Sequence, residues 1–215
     1  MPDDTPTGTT GADTELHQRI QLLTDLGLGE ATDRFDAFAA DLARSFAAQL
    51  GAGAETPYAM VNLVTHEQQF IGLHCPAGKP PVGRTMSREH GYCPEVVERR
   101  NALVLPDVYA HPRFAGNPVV DQIGIRTYAG APLIDPLTGI LLGTVCTVGT
   151  TGLPLDTGEP SRVLIKERAA RFLKFIGRTI TPSTRRHANR HSNRGTGDPT
   201  SHPTGHGTTA TPAPG

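Results

Sequence analysis

Three thiols, Cys75, Cys93 and Cys146, sit in different settings along the chain. Cys93 stands in a loop directly before Pro94 and a predicted short helix at Pro94–Arg100. A thiol at such a helix start meets exposed backbone N–H groups, which favour the thiolate and lower its pKa. That chemistry is nucleophilic or redox. The plain alternative is a small hydrophobe filling space beneath the loop. Cys146 lies on a predicted strand between Val145 and Thr147, where core packing is the simpler reading, although Gly143 leaves room for close approach. Cys75 closes a strand before Pro76. A redox reading makes Cys93 the sensing thiol, with Cys75 or Cys146 to resolve it.

Arg126 and Tyr128 are spaced to share a sheet face at the end of a long crossover. A guanidinium beside an aromatic ring suits an anionic ligand. The competing reading pairs Arg126 with Asp107 or Asp121 and pins the loop. Asp107 ends a short strand, where it caps a turn or receives a ligand amine or hydroxyl. Asn117, before Pro118, forms an Asx-type turn or lends its amide to a pocket. Phe114 is a lid anchor or core beneath the loop. His90 and His111 also lie in loops, but a haem or metal needs a second ligand at a defined spacing, and none exists. In the tail, His187/His191 and His202/His206 have the i, i+4 spacing of helical metal pairs, yet the surrounding Pro, Gly and Thr forbid that helix.

The elements that must position these residues follow from periodicity. Leu16, Ile20, Leu23 and Leu26 mark one helical face ending at Gly27. After a cap region at Thr32–Asp33, Phe35, Phe38, Ala39, Leu42, Phe46 and Leu50 mark a second helix. Tyr58–Val64 and Gln69–Leu73 read as a hairpin turning at His66-Glu67-Gln68. A Pro/Gly-rich loop runs from Cys75 to Gly91. Ala102–Leu105 is a short strand, and Asp107–Ile125 an irregular crossover with one helical turn at Pro118–Ile123. Strands Thr127–Ile134 and Ile140–Val148 flank the turn Asp135-Pro-Leu-Thr-Gly139, and Ile165, Ala169, Phe172, Leu173 and Ile176 mark a closing helix. The fold class is α+β, an antiparallel sheet with helices from both ends of the chain on one face. Long crossovers in a small domain are usually functional, so a pocket belongs between residues 75–126 and the sheet.

Composition narrows the function classes. The chain has 215 residues, with 24 Gly and 19 Pro, and a net charge of −1. Such a balance disfavours a nucleic-acid binder. No run of 18 apolar residues offers a membrane span, and residues 1–14 lack the basic and apolar regions of a signal peptide. Few cysteines and no leader suggest reduced thiols in the cytoplasm. Residues 177–215 hold only one large aliphatic, Ile180, and carry a basic excess, so this tail is expected to be disordered, as are residues 1–14. The domain then spans residues 15–176. Walker-type phosphate loops, Gly-x-Ser-x-Gly, Cys-x-x-Cys and His-Glu-x-x-His are absent.

Four stretches together resemble a known family. They are Arg19–Asp36, Gly91-Tyr-Cys-Pro94, Val104–Val108 with His111–Pro118, and Gly124–Leu133 followed by Leu142-Gly-Thr-Val-Cys146. The chain resembles the GAF domain family, and within it a bacterial subgroup found beside histidine-kinase, cyclase or phosphatase modules. The resemblance implies a six-stranded antiparallel sheet of GAF type, a small-molecule pocket and a homodimer through the terminal helices. It names no single ligand, and no cofactor follows. The Asn-Lys-x-Asp signature of cyclic-nucleotide GAF domains is missing. Free methionine-(R)-sulfoxide reductases, an enzymatic branch, carry their nucleophile in a His-Ile-Ala-Cys-Asp setting. The matching stretch here, Arg113–Asn117, has no thiol.

The sequence therefore leads to the expectation of a stand-alone, non-catalytic sensory domain. It signals through its terminal helices to a dimer mate or a separately encoded protein such as a kinase. The expected ligand-binding set is Tyr92, Cys93, Asp107, Phe114, Asn117, Arg126 and Tyr128, with no metal.

Overall fold

Thr32 starts the longer of the two N-terminal helices. Its side chain accepts a hydrogen bond from the Phe35 N–H at 3.3 Å, and Asp33 and Asp36 complement the helix's positive end. The computed structural model describes residues 11–51 and 54–179. Expectations for residues 1–10 and for the chain beyond residue 179, with its histidine pairs, lie outside the described residues.

The elements run α1 (Gly11–Asp25), α2 (Asp33–Leu50), β1 (Tyr58–Val64), β2 (Gln68–His74), β3 (Thr85–Met86), α3 (Cys93–Arg99), β4 (Leu103–Leu105), α4 (Pro112–Ala115), α5 (Pro118–Ile123), β5 (Thr127–Ile134), β6 (Leu141–Gly149) and α6 (Gly158–Thr179). Single 3₁₀ turns stand at Val108–Ala110 and Leu155–Thr157. The six strands form one sheet in the order β3-β2-β1-β6-β5-β4, with every neighbouring pair antiparallel. This is the expected α+β architecture.

Four local corrections apply. Helix α1 takes in residues 11–14, with Asp13 in its first turn favouring the helix start, and α6 runs past residue 176. The hairpin turn ends at Glu67, because Gln68 already pairs with Val64. The loop after β2 contains the edge strand β3, which pairs Thr85 and Met86 with Gln69 and Gln68. The crossover holds three short helical turns rather than one, each begun at a residue that frees or caps backbone N–H groups: Asp107, Pro112 and Asn117–Pro118.

The sheet divides the interior into two half-cores. Helices α1, α2 and α6 cover one face with Leu22, Leu42, Phe46, Ile165 and Phe172 against Val61, Ala131 and Val145. The crossovers cover the other face, where Val96, Val108 and Val119 meet Met60, Tyr128 and Cys146. Alternation along β1 and β6 sends neighbouring residues to opposite half-cores.

In α1 the buried face is Arg19, Leu22 and Leu23, while Leu16 and Ile20 are only half-buried. Arg19 donates to the Leu141 and Val64 carbonyls and pairs with Glu15 at 3.2 Å. These carbonyls sit where β1 ends and β6 begins, so a buried cation satisfies them. Burial pulls its pKa down, and Glu15 opposes that.

Candidate functional site

Met60 and Asn62 on β1 lie directly across from Cys146 and Thr144 on β6. All four side chains are buried, and alternation directs them to the crossover face. Next along the sheet, Tyr128 on β5 lies over Gly130. A Cβ at that glycine would overlap the tyrosine hydroxyl, so the missing side chain lets the ring lie flat along its own strand. The Tyr128 hydroxyl then donates to the Cys93 sulfur at 3.4 Å.

Cys93 begins α3 and is buried; its sulfur lies 3.5 Å from that of Cys146. The Cys146 thiol also lies 3.8 Å from the Met60 sulfur. Either thiol can donate to the other, and the donors around Cys93 decide the direction. A hydrogen bond from Cys146 pulls the Cys93 thiol below its ordinary range. Burial opposes this, while Thr144, Tyr128 and Asn62 reinforce it. Cys146, as the donor in a dry site, is pushed up. The two thiols titrate as one unit, with Cys93 the more acidic of the pair.

Asn62 and Gln68 extend this polar line. Asn62 donates to the Gln68 side-chain oxygen at 2.9 Å, and Gln68 donates to the Ser87 and His90 carbonyls, each at 2.7 Å. Gln68 thereby ties the segment before α3 to the sheet. The Asn62 Oδ1 atom is buried without a hydrogen-bond partner, and Thr144 Oγ1 has none besides the Cys93 sulfur.

A cleft of about 40 Å³ lies between this face and the crossovers. Tyr58, Met60, Phe70, Met86, Tyr128 and Cys146 are among the residues beneath and around it, and Gly91–Cys93, Val119, Ile123 and Ile125 close it. Among the described residues no charged side chain lines it. Two wider surface clefts, of about 450 and 280 Å³, are lined by ion-paired groups such as Arg100–Glu15 and Lys79–Glu55 and hold no thiol. The smaller, apolar cleft is the site where reactive side chains converge.

Of the expected ligand-binding set, Tyr92, Cys93 and Tyr128 line this cleft. The Tyr92 ring lies 5.2 Å from that of Tyr128 and 5.8 Å from that of Phe114. Its hydroxyl donates to the Phe114 carbonyl at 2.9 Å, and burial pushes its pKa up to about 12. Phe114 is thus a backing for Tyr92 rather than part of the wall.

Asn117 forms the Asx turn, accepting from Val119 N–H at 3.3 Å, and does one thing more. Its amide clasps Gly91 twice, accepting from the N–H at 2.9 Å and donating to the carbonyl at 2.8 Å. The clasp fastens α5 to the segment before α3, and so fastens the roof.

Arg126 and Asp107 lie away from the cleft. Arg126 pairs with Asp107 at 2.6 Å and stacks over the Tyr109 ring at 4.7 Å. Asp107 also caps Tyr109 N–H at 3.0 Å. Hydrogen bonds from Arg126 hold the Asp107 carboxyl below its usual range. The guanidinium is therefore committed to the loop and does not join Tyr128. Arg126 precedes β5, whose first residue is Thr127, so strand alternation does not apply to it.

Spacing alone does not reveal Asn62 and Thr144 as companions of Cys93, and it leaves Cys146 level with Cys75 as a partner. The available signal is the polar pair Asn62/Gln68 in strands whose neighbours are apolar and buried.

The family model described as GAF domain matches residues 33–173. No curated protein sequence matches the chain. Among solved structures, it is similar to the free methionine-R-sulfoxide reductase of Neisseria meningitidis in complex with its substrate, at 18% identity and a TM-score of 0.46, covering 89% of this chain and 99% of that one. It is similar to the GAF domain of an Acinetobacter phosphoenolpyruvate-protein phosphotransferase, at 14% identity and 0.47, covering 77% and 94%. It is also similar to a far-red cyanobacteriochrome photoreceptor, at 8% identity and 0.45, covering 75% and 93%. None of these likenesses carries a residue's role over to this chain.

Proposed function

From a chain that belongs to the GAF domain family, we propose a non-catalytic sensory and regulatory domain of a bacterial, cytoplasmic signalling system. Its input is a small uncharged molecule entering the cleft between the residue 75–126 loops and the sheet. Its output passes through the terminal helices to a second copy of the chain or to a separately encoded signalling protein such as a kinase. The observation that carries this reading is the apolar cleft, roofed by a segment that Asn117 clasps at Gly91.

Size and polarity narrow the ligand. A cleft of about 40 Å³ holds a few water-sized groups, whereas ordinary ligand sites start near roughly 300 Å³. A larger molecule therefore enters when the Asn117–Gly91 clasp opens and the roof lifts. Binding then selects the open arrangement and shifts the population toward it. The apolar lining disfavours anions, so Arg126 has no part in this reading. The sulfoxide-reductase reading has less support, because Arg113–Asn117 supplies no nucleophilic thiol.

Native mass spectrometry of the full chain, purified from its own host, tests the proposal. The expected result is a dimer retaining a stoichiometric, uncharged small molecule, lost on Tyr128→Trp substitution, which fills the cleft. A monomer without retained molecule, and without chemical-shift changes on screening small apolar compounds, overturns it.

A further inference from the structure

Cys93 and Cys146 face one another inside the cleft with no residue between their sulfurs, which stand 3.5 Å apart. Both are free thiols. Cys75 is half-buried and lies outside the cleft wall. Cys93 is also the convergence point of polar groups from three strands: Tyr128 from β5, Thr144 from β6 and Asn62 from β1. Two of those groups are unfinished in the reduced protein. Asn62 Oδ1 is fully buried and unpartnered, and Thr144 Oγ1 meets only the Cys93 sulfur. Such groups are costly unless another state of the site uses them. An oxygen added to the Cys93 sulfur would bring a polar group among them and offer each a partner.

We propose that Cys93 and Cys146 form a dithiol–disulfide switch driven by hydroperoxides, a chemical input that goes beyond ligand binding. Hydrogen peroxide or a small organic hydroperoxide is uncharged and suits an apolar cleft of this size. The Cys93 thiolate attacks its terminal oxygen. An S–O bond forms and the O–O bond breaks. The departing oxygen takes the proton that Cys93 gave up and leaves as water or alcohol. The Cys146 sulfur then attacks the Cys93 sulfenic sulfur. An S–S bond forms, the S–O bond breaks, and hydroxide leaves with the Cys146 proton as water. The two thiols lose two electrons and two protons together, and the hydroperoxide is reduced to alcohol and water. The product fastens the start of α3 to the middle of β6.

Tyr128 is a positioning residue in this scheme. Burial keeps its hydroxyl protonated, so it remains a donor to the Cys93 sulfur. The titratable groups facing Cys93 are Cys146 and Tyr128, and the remaining neighbours, Thr144 and Asn62, are neutral.

The test is to treat the full reduced chain with hydrogen peroxide, alkylate it in denaturant, and weigh and map it. The expected product carries one alkyl group, at Cys75, has otherwise lost about 2 Da, and yields a peptide pair joining Cys93 to Cys146. Cys75→Ser behaves as the native chain. Cys146→Ser stops at a gain of about 16 Da on Cys93, trapped by dimedone. Tyr128→Phe slows the reaction about tenfold at neutral pH and moves its pH profile upward, which a merely structural change would not do. Three intact thiols after peroxide, or a disulfide through Cys75 or between chains, overturns the proposal. Mapping the native chain decides the matter even where a variant fails to fold. The disulfide needs no retained ligand, so the cleft's reading as a ligand site can fail without touching this one.

Discussion

The Asp107–Arg126 pair shows how a residue chosen for its chemistry can serve the loop instead. Gly152 lies against it, and a Cβ there would fall 2.9 Å from both partners, so the pair is covered by bare backbone. Its contribution depends on pH in a definite direction. The Asp107 carboxyl is held below its unfolded value, so the pairing stabilises fully above that value, roughly 4, and is lost as pH falls through the lower folded one. Thermal unfolding of the native chain and of Asp107→Asn should differ by a constant amount from pH 8 to about 5 and converge below about pH 4. A difference that persists unchanged at pH 3 would mean that the carboxylate charge is not its source. At this scale Cys93 was legible, because its place before Pro94 marks a helix start. Its partner was narrowed to Cys75 or Cys146 and no further. Residues 93 and 146 meet only through the register of β1 with β6 and the packing of α3 across both.

Among the elements, β1 and β6 carry the site. Their register places Gly143 opposite Leu63, with the glycine's bare face against the Asn62 carbonyl. Gly143→Ala would drive a methyl group onto that oxygen between two central strands. The expected cost is about 3 kcal/mol, with the Asn62–Gln68 bond disturbed as well. Denaturant unfolding and the Asn62 amide resonances check it, and an unchanged midpoint would mean that the strands part without penalty. The central strands and the amphipathic α2 were readable because their periods are long and uninterrupted. The two-residue β3 and the turns at residues 108–115 were not, since so few residues carry no period. The buried face of α1 was misjudged for a different reason: a cation, Arg19, occupies the place expected of an apolar residue, because strand-end carbonyls need a donor there.

For the whole molecule, the two half-cores have different builders. On the helical side, four aromatic rings bind α2 to α6: Phe172 lies 5.6 Å from Phe35, 5.0 Å from Phe38 and 6.1 Å from Phe175. Phe172 is almost wholly buried. Phe172→Ala should cost about 3–5 kcal/mol and raise amide exchange along α6 before the strands. Uniform exchange across both faces would show that the halves unfold as one. The antiparallel sheet with terminal helices was legible from the order of periods, and so was the location of a cleft under the crossovers. The cleft's neutrality was not, because it depends on where one arginine turns. Between the halves stands a wall one peptide thick. Val145 belongs to the helical side and Cys146 to the other, joined by a single amide plane. Closing two sulfurs from 3.5 Å to a bond of about 2 Å gives a stroke of about 1.5 Å. Were the proposed disulfide to form, the share of that stroke falling on Cys146 would reach Val145 through one rigid amide. The sheet would then act as a rocker rather than a floor, turning a pull beneath the crossovers into a tilt beneath α6.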